Sequence, residues 1–230
     1  MHITERELPV RPVDTTVTSL PTRPVRLLGA VSLVVTALLT LVSILLQPEF
    51  GAGPVEQLAA IEDAGGAAAV SVTTFALSQL PFVVGCVVIA LLCRAGAPRL
   101  AVAGGTLAVL GGFGHAVFGG IGLSQLAMSA SPEREAMAEV VTAIESGPAV
   151  IFMAMGLLGT VLGLLLLGVA LFRSRLVPRW IPLTLWAFLV VEFVGSNLSA
   201  WASPAAGVLY VAAFGGLAVE MLRQPGARTS

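Results

Sequence analysis

Five residues could carry chemistry in a chain whose central part is otherwise apolar: His115, Glu192, Gln79, Tyr210 and Asn197. His115 stands in the run LGGFGHAVFGG (110–120), where five glycines and two phenylalanines surround one imidazole. An imidazole can take up and release a proton near neutral pH, and a carboxyl group can exchange one with it. An acidic side chain at the centre of a membrane helix opposes insertion by about 2.5–3.5 kcal/mol, so such residues mark proton or ligand sites. Glu192 is the costliest of the five on that scale. Gln79, Tyr210 and Asn197 add uncharged donors and acceptors.

Their spacing from the flanking arginines puts four of them at one height. His115 lies 16 residues beyond Arg99, Gln79 lies 15 before Arg94, Glu192 lies 13 beyond Arg179, and Tyr210 lies 13 before Arg223. At about 1.5 Å per helical residue these are all roughly 20–24 Å from the arginines, a little past a bilayer midplane. Thr40 and Thr160 fall at similar depth. The spacing predicts one polar layer across the bundle, in which Glu192 bonds to His115, keeps a proton of its own, or both. Gly195, Ser196 and Ser199 continue the face of Glu192, with Asn197 nearby. Gln79 follows Ser71, Thr74 and Ser78, and Pro81 just beyond it is expected to kink its helix and free a backbone carbonyl.

Other chemistries lack their residues. HExxH, GxSxG, P-loop and aspartate-pair motifs do not occur. The only other histidine is His2, which leaves no intramembrane pair for haem. Cys86 and Cys93 sit seven apart on one predicted helix, about 10 Å along its axis, too far for a disulfide and without a neighbouring histidine for zinc. Aromatic residues make up 6% of the chain, too few to wall a carbocation site. No cofactor or metal is expected, and no basic patch with interleaved aromatics points to nucleic acid.

The elements that must position these residues are membrane helices. Of 230 residues, 57% are hydrophobic and 11% are charged, against about 25% charged in a soluble domain. The fold class expected is all-α, a polytopic transmembrane bundle in contact with the lipid bilayer. Its six spans are about 27–47, 67–93, 100–127, 148–172, 180–199 and 204–222, within a domain covering 23–224. The continuous apolar runs exclude a β-barrel. Residues 1–22 read as a disordered cytoplasmic tail and 225–230 as a second cytoplasmic tail. All twelve basic residues are arginine, and eleven fall on one side of this topology, with Arg134 alone on the other. The positive-inside rule then puts both termini in the cytoplasm.

Two loops on the opposite side carry Glu49, Glu56, Glu62, Asp63, Glu133, Glu135, Glu139 and Glu145. Ser131-Pro132-Glu133 supplies a cap, a first-turn proline and an acidic first turn, and Gly147 a stop. Met137, Val140, Val141 and Ile144 form one apolar face, which predicts a surface helix over 132–146 and a weaker one over 55–63. These helices either cap the bundle or form a lid over a pocket. In the third span Gly104, Ala108, Gly112, Ala116, Gly120 and Ser124 recur every four residues. Such a small-residue stripe lets helices approach closely and places His115, in the neighbouring row, against protein.

The Arg-flanked first span, the turn LFRSRLVPRW (171–180) and the Gly/Ala-rich last span ending in AVEMLR (218–223) resemble those of uncharacterised bacterial multi-pass proteins of similar length. Those proteins are assigned to domain-of-unknown-function families. The resemblance implies about six spans in a bacterial inner membrane and transfers no catalytic residue. Three functional readings stay open. The first is binding or transport of a small polar ligand or proton through the polar layer. The second is a structural or interaction protein whose layer only fixes packing. The third is an intramembrane acid catalyst using Glu192.

Overall fold

The computed structural model describes residues 21–50, 53–199 and 201–223, apart from the side chain of Asn197. The two predicted tails, except for residues 21–22, lie outside the described residues. Eight α-helices follow one another: α1 (Arg23–Leu46), α2 (Pro54–Ala64), α3 (Gly66–Cys93), α4 (Pro98–Ser129), α5 (Arg134–Ser146), α6 (Ala149–Ser174), α7 (Trp180–Phe193) and α8 (Ala202–Arg223). A 3₁₀ turn at Gly195–Asn197 separates the last two. Among the described residues there is no strand. Proline opens α2 and α4 and takes the second position of α1, where its missing N–H leaves no helical bond unmade. Gly65, with φ +50°, turns α2 directly into α3, a conformation that favours glycine.

The six longer apolar helices pack as a ring in chain order, each antiparallel to the next. On the α1–α3 seam Gly29 meets Val88 and Gly85 meets Leu33. On the α3–α4 seam Gly105 meets Ala90, Gly112 meets Val83 and Gly119 meets Ala76. The α4–α6 seam is closest: Gly111 faces Thr160, Gly114 faces Gly156, and Gly104 faces Gly163 and Leu167. Trp186 of α7 lies on Gly168 of α6 and donates its indole N–H to the Leu165 carbonyl at 3.4 Å. Helix α8 then returns along α7, with Gly216 against Trp180, and closes the ring on α1 through Gly207 and Leu41. Cys86 and Cys93 are free, buried packing residues within this core, as their spacing implied.

This alternation gathers Arg23, Arg26, Arg94, Arg99, Arg173, Arg175, Arg179 and Arg223 at one end, hereafter the arginine end. The other end is capped by α2 and α5. Leu58 of α2 is buried with Ala138 and Val141 of α5, and Met128 and Met137 pack against them. An Arg134–Glu62 ion pair joins the two cap helices, and Gln57 Nε2 donates to Gln125 Oε1 of α4 at 3.3 Å. Helix α5 begins two residues later than the sequence predicts. The Ser131 hydroxyl accepts the Glu133 N–H at 3.3 Å in a local turn instead of capping the helix.

Among the described residues five helices are long and apolar enough to cross a membrane, and their outward faces form an apolar belt in which Leu80 is 75% exposed. Helix α7 is the exception. It has 14 residues, about 21 Å of helix, whereas a bilayer core is about 30 Å thick. The expected span over 180–199 therefore consists of a short helix, a 3₁₀ turn and three further residues, Val194, Leu198 and Ser199. Its apolar run ends at Val194, and Gly195-Ser196-Asn197 follows with poor helix formers.

The four-residue stripe of α4 also needs correction. Gly104, Ala108 and Gly112 are buried, but Ala116, Gly120 and Ser124 are exposed. At 3.6 residues per turn, each four-residue step advances about 40° around the helix, so six such positions sweep roughly 200°. The contact row moves instead through Gly104, Ala108, Gly111 and Gly114. A Cβ at Gly114 would stand 2.3 Å from the Gly156 amide nitrogen, whereas one at Gly120 meets nothing within 4 Å. Gly114→Ala should accordingly destabilise the bundle by about 1–3 kcal/mol, because backbone has to move. Gly120→Ala should leave stability unchanged or slightly higher; the pair can be compared by thermal unfolding in detergent.

Candidate functional site

The predicted polar residues occupy three separate places. His115, on α4, lies between α3 and α6. Its Nδ1 is 3.2 Å from the Thr160 hydroxyl, and its ring packs edge-on to Phe75 with centroids 5.6 Å apart. Gly156 makes this possible: a Cβ there would come within 2.8 Å of His115 Cδ2. The placement of His115 against protein, and of Thr160 at its height, agrees with the sequence.

The second group joins α1, α3 and α8. Gln79 is buried, and its side-chain amide donates to the Phe75 carbonyl at 3.0 Å and the Ser78 hydroxyl at 2.9 Å. Thr36 donates to the Ser78 carbonyl at 2.9 Å. Pro81 has no N–H for the Leu77 carbonyl four residues earlier, and the Thr36 bond falls on the next carbonyl along the same turn. Tyr210 is buried on α8, with its hydroxyl bonded to the Thr36 and Thr40 side chains and its ring against Phe188 and Phe214. Gln79 and Tyr210 thus meet through Thr36 and Ser78, within a seam in which every side chain named is hydrogen-bonded.

Glu192 forms the third group. It sits one residue before the end of α7, and its Oε2 is buried without a hydrogen-bond partner among the described residues. Helices α4 and α7 do not touch, because α6 packs between them, and no hydrogen bond joins Glu192 to His115. Equal depth did not bring the two residues together, because α6 stands between the helices that carry them. The backbone of Asn197 is in the 3₁₀ turn, and its side chain lies outside the described residues.

The residues missed by sequence reasoning surround a cavity of about 150 Å³ under the cap. Ser43 of α1 and Gln47 just after it, Gln57 of α2, Ser71 and Phe75 of α3, and Phe118 and Gln125 of α4 supply most of its chemistry. Gly119 and Gly122 leave room for it on the α4 side. No charged side chain lines it. Ser71 donates to the Ser43 carbonyl at 2.9 Å, and Phe118 stacks edge-on to Phe75 at 6.2 Å. Phe75 therefore separates the cavity from the imidazole of His115. The space suits a neutral molecule of benzene size, which cavities of about 150 Å³ accommodate in other proteins.

An all-helical ring with an apolar belt, a cationic end and an acidic capped end defines a membrane-embedded bundle. No known family, curated protein or solved structure matches the chain.

The separation of the polar groups is measurable by double-mutant cycles on unfolding in mixed micelles. His115→Ala and Thr160→Val should couple by about 0.5–1.5 kcal/mol, the usual range for one hydrogen bond. His115→Ala and Glu192→Gln should be additive to within about 0.5 kcal/mol.

Proposed function

We propose that the chain is a multi-pass protein of the bacterial inner membrane that binds a small, uncharged polar molecule in the cavity beneath its cap. In this reading the ring makes six crossings, with α7 and its 3₁₀ turn as the shortened fifth. Both termini lie in the cytoplasm, and the cavity faces outward. The arginine end supports that orientation, because arginines concentrate at the cytoplasmic side of membrane proteins.

The cavity lining is the observation that carries the ligand reading. Glutamine and serine side chains offer donors and acceptors beside three phenylalanine rings, Phe50, Phe75 and Phe118, the usual mixture in small-molecule sites. Helix α2 supplies one wall through Gln57 and Ile61, so the cap is a part of the site and not only a cover. A proton-linked form of the same activity would run through His115, which is one aromatic ring away. The acid-catalyst reading receives less support, since Glu192 does not line this cavity. A purely structural role fits the hydrogen-bonded Gln79–Tyr210 seam, but that role gives no reason for a void lined by amides.

Cysteine labelling in intact cells tests the reading, since the native thiols are buried and silent. Ser71→Cys and the exposed Ala130→Cys should both react with a small, membrane-impermeant methanethiosulfonate added outside. Ala95→Cys, exposed at the arginine end, should react only after lysis. The opposite pattern at positions 95 and 130 would reverse the orientation. A folded Ser71→Cys protein that resists the reagent from both sides would exclude a hydrated cavity.

A further inference from the structure

A second recess opens on the belt between α3 and α4, at their arginine ends. It is about 430 Å³ in volume and lined by Val87, Ala90 and Leu91 of α3, by Arg94 just after that helix, and by one face of α4 between Ala101 and Leu110. Small side chains create it: Ala90, Ala101 and Gly105 bring the two backbones close and leave a trough between larger neighbours. Apart from Arg94, its only polar side chain is Thr106. From 101 to 110 the trough runs about 14 Å along α4, close to the ~15 Å depth of one leaflet's hydrocarbon.

The chemistry changes sharply at one end. Arg94 is exposed there and makes no salt bridge within the described residues. Arg99 is exposed in the first turn of α4, whose N-terminal N–H groups carry partial positive charge toward the same turn. A long apolar trough ending in positive charge at headgroup level complements a molecule with a fatty chain and an anionic head. Water or a soluble anion would match only the end, and a neutral apolar molecule only the trough.

We propose that this trough is a binding site for an anionic phospholipid, one acyl chain lying along Ala90 and Gly105 and the phosphate resting on Arg94. The inference needs the bundle to sit in a bilayer with its arginines at a headgroup layer. It does not depend on which side that layer faces or on what the capped cavity binds. The Ser71 and Ala130 labelling results can therefore fail without affecting it.

Native mass spectrometry of the purified full chain tests the site, with dioleoyl phosphatidylglycerol and dioleoyl phosphatidylcholine supplied in equal amounts. Phosphatidylglycerol adducts should exceed phosphatidylcholine adducts several-fold on the unmodified protein. Arg94→Gln should remove that preference, while Thr106→Trp, at an exposed position inside the trough, should reduce adducts of both lipids. Val102→Trp is a second filler, and Leu158→Trp on the exposed face of α6 should leave both adducts as they were. Millimolar inorganic phosphate should not displace the bound lipid. Equal binding of the two lipids, a preference that survives Arg94→Gln, fillers without effect in folded protein, or displacement by phosphate would each overturn the proposal.

Discussion

The close approach of α4 and α6 is the contact on which the rest of the bundle depends. Gly111 stands against Thr160 and Gly114 against Gly156, with no space for a Cβ at any of the three glycines. In hydrocarbon there is little hydrophobic force between helices, so association relies on van der Waals contact over closely approaching backbones. This contact also holds the His115 ring, because Gly156 leaves the volume that the imidazole fills. With His115 in place, Phe75 has an edge-on partner on one side and the cavity on the other. Packing at one glycine seam thereby sets the floor of a site that lies beyond it.

Much of the architecture is legible in the residues alone, for a physical reason. A bilayer forces long apolar runs, self-satisfied backbones and charge at the ends, and all three are one-dimensional signals. Helix order, antiparallel alternation and the grouping of arginines follow directly. The short α7 shows where such reasoning stops. Apolar content through Val194 reads as a span, but helix ends depend on the local sequence, and Gly195-Ser196-Asn197 turns the chain instead. The α4 stripe fails for a related reason: four-residue spacing matches the helix period only over about three turns.

The candidate site was harder to read because depth is not contact. Counting residues from an arginine gives height along the bundle and nothing about azimuth. Glu192 and His115 share a height, yet α6 separates the helices that carry them. Thr160 is the residue that reaches His115, and it was visible in the sequence only as one threonine among others. The capped cavity left no sequence signal either. Its lining comes from four helices, and its glutamines at 47, 57 and 125 look like ordinary helix-end residues until folding brings them together.

Hydrogen bonding does not distinguish the polar seam from the capped cavity, since Ser43, Ser71, Gln57 and Gln125 are bonded too; unfilled space does. In the Gln79–Ser78–Thr36–Tyr210 seam each named side chain has a partner, and such saturation stabilises one arrangement of helices. The capped cavity is different, since hydroxyls and amides border space that no side chain fills. Glu192 is different again, with a buried oxygen lacking a partner among the described residues near the end of α7. A buried carboxyl oxygen of that kind is expensive to retain without a compensating interaction. Glu192 stands beside the break at Val194, where α7 gives way to the 3₁₀ turn and the local backbone N–H groups are bonded within that turn.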